Sequence, residues 1–296
     1  MPAVHDLLLA IGFGLVTSSI IAIGTVALSL QYSVTNVPNF AHGEIMTIAG
    51  YGALQTSRSV HSIPLQILVS IVLGAFFAWA MNRLLLQPFL NRGARNLVLF
   101  VLTIAISLIL QNTVLLIYGG QSRAFTIASG SVHHYGPFQI SSMGELTVGA
   151  AVAVMLLIHV LLKYTAFGKA QRAVSDSREL SRVSGVNADR VVAVTWLLAG
   201  GIAGVAGYVL AATIGSVTPT IGNAYLIVIF AAAVVGGIGR AYGAMIGALI
   251  IGMSMEISAV YLPSEYKTVV AFSLLVLALI FRPGGILSTK VRNAVD

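Results

Sequence analysis

The sequence of 296 residues contains no cysteine. This absence excludes disulfide bonds, thiol redox chemistry and metal sites built on cysteine. Histidine and acidic residues do not supply a replacement, because His42 and Glu44 are only two residues apart and no HExxH pattern occurs. We therefore expect no metal site in this chain.

Charged residues are also scarce, at 8% of the chain against about 25% in a typical soluble domain. Hydrophobic residues make up 57%, and the mean hydropathy is +0.95. A soluble fold of this length cannot cover so much apolar surface with polar groups. The composition therefore predicts an all-α, polytopic helical membrane protein, in which a spanning helix needs about 20 apolar residues.

Several sequence motifs of enzymes are missing as well. No GxxxxGK[ST] phosphate-binding loop occurs, so the chain itself is not expected to hydrolyse ATP. No GxSxG motif and no convincing Ser/His/Asp arrangement occurs either, and we predict no catalytic residue. The first residues, MPAVHD, lack the basic region of a cleavable signal, so we interpret the apolar run after them as the first span.

About nine apolar segments, between eight and ten, follow one another along the chain. They are 7–30, 44–55, 64–86, 97–118, 144–162, 191–213, 224–239, 242–260 and 267–281. The short segments after Gly43 and from Ala224 are either spans or re-entrant helices. No internal repeat is visible at the level of residues. We predict a single transmembrane domain, 1–296, with a turn-rich outer loop at 119–143.

The net charge of +7 resides in the loops, so it indicates membrane orientation rather than binding to nucleic acid. Thirteen of the 16 lysine and arginine residues fall on one side of the nine-segment arrangement, at 83–96, 163–190, 240 and 282–296. Arg58, Arg123 and Lys267 fall on the other side. Because the positive side is cytoplasmic, we predict an outside N-terminus and a cytoplasmic C-terminus.

The loop 163–190 holds nine of the 25 charged residues and is the longest polar stretch that can form a helix. Asp176 and Glu179 fit a capping box, and Gly185 can adopt the left-handed conformation that ends a helix. These signals predict a helix of about two turns at 177–184. Such a helix can dock in a groove of a partner protein, or it can be an ordinary connector on lipid headgroups. The residues alone slightly favour the connector.

A second polar stretch, NVPNFAHGEIMTIAGY at 36–51, interrupts the apolar pattern. Irregular backbone occurs at membrane depth only where it is buried in protein or lines a cavity, and Pro38 permits such a break. Asn39, His42 and Glu44 add polar groups there. Because ionisable residues inside a span usually mark a functional site, this stretch is a candidate for one. An interfacial turn, with Glu44 at a helix N-terminus, explains the same residues equally well.

One further carboxylate, Glu256, lies inside the segment 242–260. It can line a pathway, pair with Lys267 or Arg240, or simply extend towards the membrane surface. Dense small residues at 200–207 and 236–252 indicate helices that approach closely, within the chain or against a second membrane subunit.

Four stretches together resemble the permease subunits of branched-chain amino acid ABC importers. They are NFAHGEIMTIAGY at 39–51, GKAQRAVSDSRELSRVSGVN at 168–187, GGIGRAYGAMIGALIIGMSMEIS at 236–258 and FRPGGIL at 281–287. They occur in the order found in that family and extend over most of the chain. Pro38, Asp176, Ser181 and Arg240 depart from the usual pattern. Since relatives carry other amino acids, urea or short amides, the substrate stays open.

The resemblance implies a half-pore in a prokaryotic inner membrane. It implies a second permease subunit, two cytoplasmic ATPases that bind ATP and Mg²⁺, and an extracytoplasmic solute-binding protein, with no cofactor bound by this chain. The expected pathway residues are Asn39, Phe40, His42, Glu44 and Glu256. The residues expected to couple to the ATPase are Arg172, Asp176, Arg178, Glu179, Leu180, Arg182 and Gly185.

Two other classes of protein fit parts of the sequence. One is a proton-coupled secondary transporter in which Glu44 and Glu256 carry protons. The other is a membrane enzyme with His42 as acid or base. The scarcity of ionisable groups in the spans and the lack of a complete catalytic set disfavour both.

Overall fold

The structure, a computed structural model, describes residues 4–125, 132–135, 138–282 and 284–287. Parts of the predicted outer loop, at 126–131 and 136–137, lie outside the described residues. So do Pro283 of the FRPGGIL stretch and the terminal residues 288–296 with their predicted cytoplasmic side.

Helices dominate the described chain. They are α1 (Val4–Thr35), α2 (His42–Ser59), α3 (Ile63–Ala80), α4 (Gln87–Asn91), α5 (Asn96–Tyr118), α6 (Ser142–Tyr164), α7 (Ala166–Asp176), α8 (Arg178–Val183), α9 (Ala188–Ile214), α10 (Ile221–Gly236), α11 (Ala241–Ser258) and α12 (Lys267–Phe281). A π-helical turn, Met81–Leu86, joins α3 to α4, and a 3-10 turn, Ser264–Tyr266, precedes α12. The all-α prediction is confirmed.

Two small antiparallel strand pairs lie in the loops that join these helices. β1 (Arg123–Ala124) pairs with β4 (Ser216–Val217), so the loop after α5 is tied to the loop after α9. β2 (Val132–Tyr135) and β3 (Phe138–Ser141) form a hairpin immediately before α6. The described part of the predicted turn-rich loop is therefore a set of short strands and contains no spanning helix.

Each of the nine predicted apolar segments forms a helix, but only seven helices in the described chain are long and apolar enough to cross a membrane. These seven are Asp6–Thr35, Ile63–Leu90, Asn96–Tyr118, Ser142–Tyr164, Ala188–Ile214, Ala241–Ser258 and Ser264–Phe281. The exceptions are α2, which carries too many polar residues, and α10, which is too short. Among the seven, the span formed by α9 has the largest share of buried residues, 78%, and the span that contains α12 has the smallest, 6%.

The chain between α1 and α2 turns back into the bundle. Asn36 has a positive φ of 52°, and Pro38 follows it, so the first helix cannot continue. His42, the first residue of α2, then places Nε2 3.1 Å from the carbonyl oxygen of Gly24. Gly24 precedes the end of α1 by 11 residues, or about 16 Å at 1.5 Å per residue. The second helix therefore begins deep inside the bundle.

The short helices α2 and α10 meet at their N-termini. A Cβ atom on Gly43 would lie 2.6 Å from the carbonyl oxygen of Gly222, and a Cβ on Gly222 would clash with Gly43 in return. The Gly222 amide donates a hydrogen bond to the Thr47 hydroxyl at 3.1 Å. Only glycine at both positions lets the two backbones approach this closely.

These contacts relate two halves of the chain. In these halves α1, α2 and α3 correspond to α9, α10 and α11. The first helix of each half packs along the third helix of the other half, and the second helix of each half contacts the third helix of its own half. Because α1 ends and α9 begins beside the α7–α8 segment, the halves run in opposite directions. The arrangement is that of an inverted repeat, in which the two short helices α2 and α10 meet at their N-termini. Residue identities had shown no repeat, so this symmetry is known from the structure alone.

The Gly43–Gly222 contact predicts a specific sensitivity to a single methyl group. We expect Gly43→Ala to lower the free energy of unfolding by about 1–3 kcal/mol, because the added Cβ has no space beside Gly222. The matched control is Gly149→Ala in α6, where nothing lies within 4 Å of the added Cβ. Thermal unfolding in detergent measures both variants. Equal melting temperatures for the two would contradict the packing described.

Candidate functional site

A cluster of buried polar side chains surrounds the start of α2. Its members come from α1, from α2 with the segment before it, and from α5. They are Gln31, Asn39, His42, Glu44, Thr103 and Ser107, each between 0% and 8% exposed. The structure thus brings together three of the five predicted pathway residues, and the sequence had pointed to none of the partners on α1 and α5.

Asn39 and Thr103 stabilise the break between α1 and α2. The Asn39 side chain donates to the Gln31 Oε1 at 2.9 Å and accepts from the Ala41 amide at 3.0 Å. The Thr103 hydroxyl lies 3.3 Å from both the Pro38 carbonyl oxygen and the Phe40 amide nitrogen. These bonds satisfy backbone groups that the end of a helix leaves free.

Other polar atoms of the cluster are not satisfied. The Ser107 hydroxyl donates to Glu44 Oε1 at 3.4 Å, a long hydrogen bond. Among the described residues, no partner lies within hydrogen-bonding distance of Glu44 Oε2, His42 Nδ1 or Gln31 Nε2. A buried unpaired polar group costs about 1–3 kcal/mol. The cluster therefore holds both donor and acceptor atoms that have no partner among the described residues.

Phe40, the fourth predicted pathway residue, borders this cluster with two other rings. Its centroid lies 5.2 Å from that of Phe100 in an edge-to-face arrangement and 4.9 Å from that of Phe230. These rings come from α5 and α10, so α5, α10 and the segment preceding α2 converge here. The aromatic group adds an apolar wall beside the buried polar atoms.

Glu256 lies apart from the other predicted pathway residues. Its carboxylate accepts from Lys267 Nζ at 2.7 Å and from the Thr17 hydroxyl at 2.9 Å. Of its two suggested partners, Lys267 is the one observed. Thr17 and Gly24 are seven residues apart on α1, so Glu256 sits about 10 Å along that helix from His42.

The loop 163–190 contains two helices where the sequence predicted one. Thr165 caps α7, since its hydroxyl accepts from the Gly168 amide at 3.1 Å. The predicted helix at 177–184 is observed as α8, but the prediction that Asp176 caps it is wrong. Ser177 is the cap, because it adopts an extended conformation and its hydroxyl accepts from the Leu180 amide at 3.3 Å. Asp176 instead ends α7.

The predicted termination at Gly185 is confirmed. Gly185 has a φ of +82°, and its amide donates to the Arg182 carbonyl at 3.0 Å. The Val186 amide donates to the Ser181 carbonyl at 2.9 Å, which completes the hydrogen-bond pattern of a glycine-terminated helix.

Asp189, in the first turn of α9, holds α8 in place. Arg178 Nη2 lies 2.5 Å from one Asp189 oxygen, and Arg182 Nη2 lies 3.1 Å from each of the two. Two arginines predicted to contact a partner are therefore engaged within the chain. Sequence reasoning had not singled out Asp189, although an acidic residue in the first turn of a helix is a recognisable signal.

The exposed apolar residues of α8 are Leu180 and Val183, at 69% and 88%. We call this pair the α8 knob. Glu179 is also exposed on this short helix, and Gly185 is exposed just after it. The predicted set had included Leu180 but not Val183. In an aqueous loop, two large apolar side chains on one short helix are suited to contact with another protein.

The helix α7 is fastened to the ends of α1 and α6. The buried Gln171 side chain donates to the Ser33 hydroxyl at 3.4 Å. The Arg172 guanidinium donates to the Leu162 carbonyl oxygen. Arg172 therefore contacts α6 of its own chain and, being exposed, also faces outwards.

Nothing in the described part of the chain groups three or more His, Asp or Glu side chains in a way that could hold a metal ion. The functional chemistry available is hydrogen bonding and charge in the buried cluster, together with apolar contact at the α8 knob.

Comparison with known proteins gives a consistent result over nearly the whole length. Residues 10–279 match the family described as "Branched-chain amino acid transport system / permease component". The high-affinity branched-chain amino acid transport system permease protein LivH of Escherichia coli is 32% identical over 285 residues, covering 92% of this chain and 91% of LivH. BraD of Pseudomonas aeruginosa, a permease protein of the same description, is 31% identical over 301 residues, covering 97% of each chain.

A relative from an archaeon is equally similar. The probable branched-chain amino acid transport permease protein LivH of Methanocaldococcus jannaschii is 32% identical over 288 residues, covering 92% of this chain and 90% of that protein. No solved structure matches the chain.

The contacts of Asp189 predict how firmly α8 is held. We expect Asp189→Asn to speed hydrogen exchange of the α8 amides about two- to fivefold, because partly exposed ion pairs contribute up to about 1 kcal/mol. Hydrogen–deuterium exchange with mass spectrometry measures the change, and added salt reduces the difference. Asp176→Asn is the control, since Asp176 forms no salt bridge within the described chain. Equal exchange in all three proteins would contradict this role of Asp189.

Proposed function

Because the chain belongs to the permease family of branched-chain amino acid transport systems, we propose that it forms half of the translocation pathway of an ATP-driven importer. The observation that carries this proposal is similarity to named permeases over more than nine-tenths of both chains. The predicted resemblance is thereby confirmed. So is the prediction of a multi-pass protein of the inner membrane, given the seven apolar helices.

The proposed substrate is an aliphatic amino acid delivered by a solute-binding protein. The three relatives above are named for branched-chain amino acids. The site suits such a solute, because donors and acceptors for a zwitterion lie beside the aromatic wall of Phe40, Phe100 and Phe230. Asn39, Phe40, His42 and Glu44 are the proposed pathway residues. Glu256, ion-paired outside the cluster, would act near one end of the pathway at most.

The proposed partners are a second permease subunit, two cytoplasmic ATPases and the binding protein. In this proposal the α8 knob enters an apolar groove of an ATPase, while Arg178 and Arg182 position α8 through Asp189. The loop 163–190 is then cytoplasmic, as its positive charge favours.

The contacts of α7 and α8 supply a route from the ATPase to the pathway. Displacement of α8 would act on the first turn of α9 through Asp189, and displacement of α7 would act on the end of α1 through Gln171 and Ser33. α1 packs against α10 and α9 packs against α2, and the N-termini of these two short helices meet at Gly43 and Gly222. Closure of the ATPases would therefore shift the helices that frame the polar cluster.

The direct test is uptake by proteoliposomes that contain this chain, its second permease and both ATPases, with the binding protein outside. We expect accumulation of radiolabelled leucine, isoleucine or valine that requires ATP and persists when a proton ionophore is added. Uptake without ATP that collapses with the ionophore would instead identify a proton-coupled transporter. Accumulation of radiolabelled urea or acetamide, with none of leucine, isoleucine or valine, would replace the amino acid assignment by an amide assignment.

The α8 knob can be tested separately from its arginines. We expect Leu180→Asp combined with Val183→Asp to abolish co-purification of the ATPases, because two charges cannot enter an apolar groove without a large desolvation penalty. The control is Tyr261→Asp, a residue 62% exposed in the turn after α11. Retention of the ATPases by the double variant, with normal uptake, would place the contact elsewhere.

The buried carboxyl group of Glu44 carries a second functional prediction. We expect Glu44→Gln to slow uptake about tenfold, or roughly 1.4 kcal/mol of activation free energy, with unchanged or higher thermal stability. The stability is expected to hold because the carboxyl has only one long hydrogen bond to lose. Glu265→Gln, at an exposed carboxylate before α12, is the control. Full activity of Glu44→Gln would remove this residue from the pathway.

A further inference from the structure

A cavity of about 900 Å³ lies where α1 ends, between α6, α7 and the start of α11. Its wall includes Ser33 of α1, His159 and Lys163 of α6, Arg172 of α7, and Arg240 and Tyr242 at the start of α11. None of these six residues belongs to the polar cluster or to the α8 knob. The cavity therefore needs an explanation of its own.

Positive charge converges on this cavity from three elements. Lys163, Arg172 and Arg240 line it, and Asp176 is the one carboxylate among the described lining residues. The two guanidinium groups donate to the carbonyl oxygens of Leu162 and Leu287, which fixes their positions. Each guanidinium has five N–H donors, so most of them are still available for an anion.

The surface beside the cavity is apolar. On α6, Leu156 and Val160 are 61% and 51% exposed and continue the face that carries His159 and Lys163. On α11, Ile246 and Leu249 are 39% and 49% exposed and continue the face of Tyr242. Because α6 and α11 both pack on α1, these faces flank the same helix.

A hydrogen bond joins the two faces at the boundary between the charged cavity and the apolar surface. The Tyr242 hydroxyl lies 3.1 Å from His159 Nδ1, and the His159 ring also stands edge-on to Tyr164. Exposed tyrosines of this kind are enriched at the level of lipid headgroups. The spatial order of these side chains, from cation to tyrosine to exposed leucine, matches the order of groups in a phospholipid, from phosphate to acyl chain.

We propose that this cavity binds the headgroup phosphate of an anionic phospholipid, with its acyl chains along the exposed faces of α6 and α11. Charge complementarity favours this occupant, since a basic pocket between helices at the membrane boundary attracts anionic headgroups. A soluble anion would leave the apolar faces unused, and a purely apolar protein surface would leave the three cations unpaired. A lipid in this position would contact α6, α7 and α11 at once.

The test measures lipid binding to the full-length chain by native mass spectrometry. The delipidated protein in detergent is titrated with phosphatidylglycerol and with phosphatidylcholine of the same acyl chains. We expect at least about tenfold tighter binding of phosphatidylglycerol, since each cation near the headgroup strengthens the attraction. Replacing Lys163, Arg172 and Arg240 together by glutamine should remove that preference.

Two further variants distinguish binding at this site from a general effect of net charge and from an effect of misfolding. Glutamine at Arg92, Arg95 and Arg190 removes the same number of exposed cations outside the cavity and should keep the preference. Lys163→Arg with Arg172→Lys and Arg240→Lys keeps the charges and should restore binding. Equal binding of the two lipids, or loss of the preference in the control variant, would overturn the proposal.

Two competing occupants are tested in the same way. Displacement of phosphatidylglycerol by millimolar inorganic phosphate would identify a site for free anions and overturn the lipid assignment. Since the chain lacks cysteine, Tyr242→Cys supplies a unique thiol at the boundary. We expect its maleimide reactivity in the assembled transporter to be lower in phosphatidylglycerol nanodiscs than in phosphatidylcholine nanodiscs. Equal protection in both, with cross-linking to the second permease, would assign the groove to protein.

Discussion

The contact between Gly43 and Gly222 is the constraint on which the rest of the structure depends. It brings the backbones of α2 and α10 together at their N-termini, and no side chain fits between them. Both helices then start inside the bundle, and the segments that lead to them place Val37, Asn39 and Ala41 before α2, and Val217 and Pro219 before α10, in buried positions. Irregular backbone at that depth is tolerated only if its polar groups find partners, which Asn39 and Thr103 provide.

This constraint also provides a structural link between the two candidate sites of the chain, the buried polar cluster and the α8 knob. The buried polar cluster lies at the start of α2, whereas the α8 knob lies outside the bundle, beyond the ends of α1 and α9. Each long helix packs against one short helix, α1 against α10 and α9 against α2. In the proposed mechanism, a movement that begins at α8 would reach the cluster through these helices, whose contacts with α2 and α10 involve small residues such as Gly207 and Gly24.

The hydropathy and the helix-breaking residues of the sequence predicted much of the architecture. A helix forms over each of the nine apolar segments, but only seven are long and apolar enough to cross a membrane. The break before Asn39 and the end of α8 just before Gly185 also occur. Neighbouring cap residues explain the one-residue error at Ser177, because Asp176 and Ser177 are both good N-caps and only the extended backbone of Ser177 decides between them. The inverted repeat was not detectable in the sequence, since the two halves share the pattern of contacts between helices rather than residue identities. The engagement of Arg178 by Asp189, 11 residues away across a turn, depends on tertiary geometry that no local pattern encodes.

We propose that the break between α1 and α2 lines a pathway whose access changes when the ATPases bind ATP. The most direct measurement is the reactivity of Phe40→Cys, a unique thiol in this cysteine-free chain, towards a water-soluble maleimide in the assembled transporter. Leu116→Cys, at a position 86% exposed on α5, is the comparison. The account predicts that the Phe40→Cys thiol reacts at clearly different rates in the nucleotide-free and ATP-bound states, while the Leu116→Cys thiol reacts at one rate in both. An unreactive Phe40→Cys thiol, or an equal rate in the two states, would contradict it.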